Sequence, residues 1–205
     1  MVDFTYLNMK ILVVSGTPGT GKTTVSNNIA NYLRVKVISL NELAISENLI
    51  IDYDSKRETS VINSSKLIPF LIKLIEKYRK DNFEFLIIES HFSDIVPERY
   101  IDWVIILRCD PDELSIRLKK RGYKIEKIRE NVQSEILGNC VNFFMNKQLD
   151  TPILEIDTTK TNIESITKTI LDVILKEKDL ETYIAGKVDW LEKLFQENRL
   201  QEFFD

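Results

Sequence analysis

Cysteine, histidine and long apolar runs are scarce in this chain of 205 residues. The two cysteines, Cys109 and Cys140, follow no metal-ligand spacing and read as free thiols of a reducing cytosol. No apolar run approaches the ~20 residues of a membrane span, so a membrane is not an expected partner. Positive charge is not in excess either. A net charge of −4 and a pI near 5.3 argue against sequence-independent nucleic-acid binding by the whole surface, though a local basic patch is compatible with them. Met1-Val2-Asp3-Phe4 lacks the basic-then-apolar order of a signal peptide, and a cytoplasmic location is expected. Residues 1–8, ahead of Met9, are expected to add little to the fold. There is no internal repeat and no low-complexity linker. What remains is ordinary for a globular protein, 43% hydrophobic and 29% charged, and long enough for one domain with a real core.

Gly16-Thr17-Pro18-Gly19-Thr20-Gly21-Lys22-Thr23 fits G-x-x-x-x-G-K-[ST], the phosphate-binding P-loop. Its context is the one the chemistry needs. Ile11–Val14 ahead of it read as a buried parallel strand. Val25, Ile29 and Leu33 behind it recur every four residues, as one face of a helix. The glycines let backbone N–H groups approach phosphate oxygens, and the helix presents its free N–H groups to the same anion. Lys22 is expected at the β- and γ-phosphates of ATP, and Thr23 at Mg²⁺.

The rest of the chain alternates strands with helices, which predicts an α/β fold: a five-stranded parallel sheet with helices on both faces. The expected strands are Lys10–Ser15, Val35–Ser39, Phe83–Glu89, Asp102–Arg108 and Ile153–Asp157. Asp110-Pro111-Asp112-Glu113 is a helix start, placing a helix at about 111–121. Ser64–Lys80 is a second amphipathic helix. Residues 44–62 read as a polar, irregular insertion, of a kind that is often functional or mobile. Residues 179–205 read as an extension beyond a domain of residues 1–178. In it Ile184, Val188, Leu191 and Phe195 share a helical stripe, with Trp190 and Leu194 beside it. Phe203 and Phe204 favour some burial there.

A P-loop enzyme needs an acid at the end of a neighbouring strand to hold Mg²⁺, and Glu89 supplies it. His91 follows at the sheet edge where ligands bind, and could orient a water or an acceptor phosphate. Arg117 and Arg121 are four apart on one predicted helix and share a face. With Arg129 they are candidate phosphate contacts, whereas Lys119, Lys120 and Lys127 read as solvated. Gly122 is a candidate hinge for a segment closing over ATP. A GTPase would need Asn-Lys-x-Asp. Asn146-Lys147-Gln148-Leu149-Asp150 places the acid one position late, within a predicted helix.

These motifs together resemble a known family. It comprises the adenylate-kinase-like nucleoside monophosphate kinases of archaea and eukaryotic nuclei that also act in small-ribosomal-subunit maturation. The matching stretches are Gly16–Thr24, Ile87-Ile88-Glu89-Ser90-His91, Pro97-Glu98-Arg99-Tyr100, Val104–Asp110 and Arg121-Gly122-Tyr123 through Asn131, within residues 9 to 176. Asn41-Glu42-Leu43-Ala44 is similar more weakly. The resemblance implies a three-layer P-loop NTPase sandwich of nucleoside monophosphate kinase type. It implies ATP held by Gly19, Thr20, Gly21, Lys22, Thr23, Thr24 and Arg121, with Lys160 beside the adenine. A monophosphate-binding segment falls near 39–62 and a short lid, without cysteines, near 120–130. Arg99 falls where the acceptor phosphate is contacted, and Arg129 is assigned there too. Lys22, Arg117, Arg121 and His91 are the expected catalytic set, with Thr23 and Glu89 at the metal. Implied partners are a monophosphate, AMP foremost, and a small-subunit ribosomal protein in the pre-ribosomal particle. Eukaryotic members carry Asp where Glu89 stands.

Overall fold

The five apolar runs become one sheet. In this computed structural model, residues 9–54, 59–147, 149–176 and 179–204 are described. The strands are β1 (Lys10–Gly16), β2 (Lys36–Ser39), a hairpin of β3 (Ile50–Asp54) and β4 (Thr59–Ile62), β5 (Phe85–Glu89), β6 (Trp103–Arg108) and β7 (Ile153–Asp157). Five of them form a parallel sheet in the order β2-β5-β1-β6-β7, and β3 pairs with β4 alone, antiparallel. The helices are α1 (Lys22–Leu33), α2 (Leu40–Ser46), α3 (Ser64–Lys80), α4 (Pro111–Lys120), α5 (Ile125–Ile136), α6 (Asn139–Met145), α7 (Ile163–Lys176), α8 (Leu180–Tyr183), α9 (Trp190–Gln196) and α10 (Gln201–Phe204). The expectation about residues 1–8 lies outside the described residues.

Alternation along each strand explains the two apolar layers. Ile11, Val13, Ile88 and Ile106 face Leu67, Leu71 and Ile75 of α3 and Phe144 of α6. Leu12, Val14, Ile87 and Ile105 face Val25 and Ile29 of α1 and Ile166 and Ile170 of α7. Both faces of the sheet are covered, which is why the central strands are apolar at every position rather than at every second one. The helix ends follow local chemistry. Asp110 caps α4 by accepting from Asp112 N–H at 3.0 Å, with Pro111 in the first turn. Asn63 caps α3 by accepting from Lys66 N–H at 3.1 Å.

Three expectations need correction. The described part of residues 44–62 is not irregular: it holds the end of α2 and the paired strands β3 and β4, while residues 55–58 lie outside the described residues. The pattern there is weak because both elements are short and the hairpin leaves Ile51, Tyr53 and Val61 exposed. The helical stripe of the C-terminal extension is also different. Ile184 makes an isolated bridge to Leu154, and α9 begins only at Trp190. Its buried side chains are Trp190 and Leu194, whereas Leu191 and Phe195 face outward. Trp190 and Leu194 join a third apolar cluster with Leu114 and Leu118 of α4 and Ile128, Val132 and Ile136 of α5, and Phe203 packs against it. The guanine-box near-miss also falls elsewhere than expected, since Asn146 and Lys147 lie just past the end of α6.

Candidate active site

The carboxyl ends of β1, β5 and β6 open on one side, as parallel sheets place their ligand sites. The loop leaving β1 turns through positive φ at Gly16 (139°), Gly19 (99°) and Gly21 (102°). Gly16 has no room for a side chain: a Cβ there would sit 2.4 Å from the Leu107 carbonyl oxygen. Gly16→Ala is therefore expected to displace the loop from β6, weakening ATP binding roughly tenfold or more and lowering the melting temperature. Isothermal titration with Mg-ATP beside thermal unfolding checks it, and unchanged values in both would refute it.

The loop is held from within. Thr17 carbonyl accepts from Lys22 Nζ at 3.1 Å and from Thr20 Oγ1 at 2.9 Å. Lys22 is buried, and burial pushes its amine below the ordinary lysine range against the pull of Glu89 and Glu135. Thr20 is fully buried, so its hydroxyl serves the loop rather than a ligand. Thr23 and Thr24, in the first turn of α1, are exposed to the cleft.

Glu89 ends β5 directly beside β1, paired in register with Val14. Its Oε1 lies 3.4 Å from Thr23 Oγ1. A carboxylate and a hydroxyl at that separation are hard oxygen donors suited to Mg²⁺, which keeps several waters and phosphate oxygens as its other ligands. Among the described residues no cluster of three or more His, Cys, Asp or Glu side chains could hold a metal by itself. The pair Thr23 and Glu89 therefore fits an ion that arrives with a nucleotide.

His91 lies two residues on, its ring edge-to-face with Phe92 at 5.0 Å. Burial, then the charges of Lys22 and Lys127, lower its pKa to about 4. The imidazole is thus neutral at pH 7, able to accept one hydrogen bond and donate another. Because the charged form is disfavoured in the folded chain, the unfolded chain binds more protons between about pH 4 and 6.5. Stability from this group is complete above that window and is lost as pH falls through it. The chain has one histidine, so its ring resonances form a single set. Their NMR titration is expected to have a midpoint near 4, and a midpoint at 6 or above would overturn this placement.

The cleft has a volume of about 830 Å³ and two unlike walls. One is the P-loop with Thr23, Thr24, Glu89 and His91, closed by Arg121, Tyr123, Lys127 and Asn131 at the end of α4 and along α5. The other is Ser39, Asn41, Glu42 and Ile45 around α2, with Ile50, Ser60 and Ile62 of the hairpin. Gly122, between Arg121 and Tyr123, has φ 77° and open space around it.

Several candidate residues are placed elsewhere. Arg121 and Arg117 do not act from a shared face. Arg121 is the cap residue ending α4 and reaches the cleft. Arg117 is tied down, donating to Glu113 at 2.9 Å and to the Thr158 and Thr159 carbonyls at 2.7 and 3.0 Å. It braces the turn after β7, whose Thr158 hydroxyl lies 3.0 Å from the Thr20 carbonyl. Lys160, in that turn, is exposed and outside the cleft lining. Arg99 stacks over the Tyr100 ring at 4.9 Å, also outside the lining. Arg129 lines a separate shallow pocket of about 240 Å³ with Ile125, Glu126, Glu130 and Gln133. Lys127, read from sequence as solvated, lines the cleft while pairing with Glu130 at 3.1 Å. Its (i, i+3) partner was the signal for a surface pair, and only the fold shows which surface that is.

Comparison with known proteins agrees with this arrangement. A family model described as an AAA domain matches residues 12–138, from β1 to the turn after α5. A Methanocaldococcus jannaschii protein named "Putative adenylate kinase" is 35% identical over 184 residues, covering 90% of this chain and 94% of that one. A protein of the same name from Methanosarcina barkeri is 37% identical over 187 residues, covering 89% and 98%. Among solved structures, deoxyadenosine kinase from M. mycoides has a TM-score of 0.51 at 18% identity, covering 81% of this chain and 99% of that one. Shikimate kinase from Bacteroides thetaiotaomicron has a TM-score of 0.50 at 17% identity, covering 82% and 99%. At those identities the two structures share the fold alone, the P-loop kinase sandwich. With relatives this similar along nine-tenths of its length, and with phosphate loop, acid and second wall meeting in one cleft, the chain belongs to the adenylate-kinase-like nucleoside monophosphate kinases of the P-loop class.

Proposed function

We propose that this enzyme transfers the γ-phosphoryl group of Mg-ATP to AMP, giving two molecules of ADP. The observation that carries the reading is the second wall. A phosphate loop serves an ATP-binding protein of any kind, but α2 and the β3–β4 hairpin add a half-cleft beside the loop, where an acceptor would bind. Ile45, Ile50 and Ile62 offer it apolar surface for a base, and Ser39, Asn41 and Ser60 offer hydrogen-bonding groups.

An acceptor phosphate oxygen would attack the γ-phosphorus in line, and the bond to the β–γ bridging oxygen would break. No covalent enzyme intermediate is needed, because positioning and electrostatics lower the barrier. Lys22 and Arg121 bring positive charge to the transferring group, and Thr23 and Glu89 would hold Mg²⁺. The bound ion would neutralise developing charge on the phosphate oxygens. His91, neutral and facing the same cleft, orients the attacking group.

The same neutral imidazole can orient a water when no acceptor is bound, giving a slower ATPase. Following the resemblance, that hydrolysis would serve a switch in affinity for a small-subunit ribosomal protein. ADP formation from Mg-ATP, followed with and without AMP, tests the reading. A large AMP-dependent increase with two ADP per AMP consumed is expected. ADP release indifferent to AMP would overturn the transferase and leave the ATPase.

A further inference from the structure

The reaction above makes no use of one heavily ligated buried carboxylate among the described residues. Glu135, at the end of α5, has a side chain only 1% exposed and accepts four hydrogen bonds. Oε2 takes the Thr17 hydroxyl at 2.5 Å. Oε1 takes Arg108 Nε at 2.8 Å, Cys109 N–H at 3.0 Å and Trp190 Nε1 at 3.3 Å. Arg108 also donates to Glu155 and, at 3.1 Å, to the Val188 carbonyl. Glu155 in turn accepts from Gly186 N–H at 2.5 Å. One buried row therefore runs from the C-terminal segment, through Glu155, Arg108 and Glu135, to the phosphate loop.

We propose that Glu135 is a positioning residue of the phosphate loop, and that the C-terminal segment 186–194 holds it there, so that the segment is a working part of the nucleotide site. The inference rests on the reading that this loop binds Mg-ATP. The P-loop pattern leaves Thr17 unspecified, yet here its hydroxyl is spent on Glu135. Its carbonyl is the atom on which the Lys22 ammonium rests. A carboxylate that fixes the Thr17 side chain thereby fixes the place from which Lys22 moves to phosphate. Trp190 and Leu194 seal the other side of Glu135 against α4 and α5. Lys193 with Asp110 at 2.6 Å and Arg199 with Asp112 at 3.0 Å clamp the segment to the start of α4. Leu114 and Leu118 of α4 also lie where a Gly19 side chain would fall, so the segment reaches the loop from two directions.

Coupling of this kind is reciprocal: whatever at Trp190 changes nucleotide affinity must itself respond to nucleotide. The chain has two tryptophans, and Trp103→Phe leaves Trp190 as the sole indole emitter. In that full-length background Mg-ATP is expected to shift or quench the Trp190 emission. Adding Thr17→Val, which keeps the shape and removes the hydroxyl, should abolish the response and raise the Kd for Mg-ATP roughly tenfold or more, the loss expected for a hydrogen bond to a charged acceptor. Thr17→Ser, which keeps the hydroxyl, should restore both. Trp190→Phe should raise the KM for ATP with a smaller change in kcat. A folded Thr17→Val protein that binds Mg-ATP as the parent does overturns this inference alone, as does a Trp190 emission blind to nucleotide in a protein that binds it. A wild-type chain that fails to bind Mg-ATP overturns the kinase reading and this inference with it.

Discussion

Lys22→Ala is expected to slow phosphoryl transfer about 10²–10³-fold, the usual cost of deleting one preorganised donor to a developing charge. Its melting temperature should nevertheless be unchanged or higher. Lys22 is buried, and burial pushes its pKa down, so the folded chain carries a cation that its surroundings disfavour. Removing the amine relieves that cost and gives up one hydrogen bond to the Thr17 carbonyl. Activity and stability should therefore move apart. Steady-state kinetics with ATP and AMP beside a thermal melt decide it. A variant that loses activity only because it unfolds would mean that Lys22 is a structural residue.

The second large effect concerns stability alone. Arg108→Met should destabilise the fold by about 3–5 kcal/mol, because it leaves Glu135 and Glu155 buried without their cation. In a domain of this size each kcal/mol corresponds to about 2–4 °C in Tm, so a fall of about 6–20 °C is expected. Urea unfolding measures it directly. Arg108→Met combined with Glu135→Gln and Glu155→Gln should recover part of the loss, since no buried charge is then left unpaired. A single variant within 1 kcal/mol of wild type, on the order set by surface substitutions, would show that water or rearrangement compensates the two carboxylates.

Much of this was legible in the residues. The three central sheet strands were visible because a strand buried on both faces is apolar at nearly every position. Ile11–Val14, Leu86–Ile88 and Val104–Leu107 carry no polar residue to confuse the pattern. The P-loop and Glu89 were visible because their spacing is set by a ligand rather than by packing. The C-terminal stripe failed for a different reason. Ile184, Val188, Leu191 and Phe195 keep helical spacing, yet Gly186 at φ 99° breaks the segment before Trp190, and short α9 buries a different pair. The arginines failed because spacing reports which face of a helix a residue occupies, not what waits there. Arg117 meets two carbonyls beyond β7, and Arg121 sits where α4 ends. Glu135 gave no signal at all, being one more acid on an amphipathic helix until Thr17, Arg108 and Trp190 converge on it.

The strand order carries a consequence for how the chain comes to be folded. β1 is made before the other strands of the sheet, yet it lies at the centre and its neighbours are β5 and β6. At ~5–20 residues per second, the stretch from Lys10 to Arg108 takes roughly 5–20 s to make. Until β5 is made Ile11–Val14 is an apolar ribbon with both edges unpaired, and until β6 is made one edge stays open, a template for pairing with another chain. The helices made in that time, α1, α2 and α3, can cover its faces but do not pair with its edges. Parallel pairing across such separations is intrinsically slow. The strand that builds the phosphate site is thus also the segment whose exposure during synthesis most endangers yield, and slower translation past Glu89 should increase aggregation rather than relieve it.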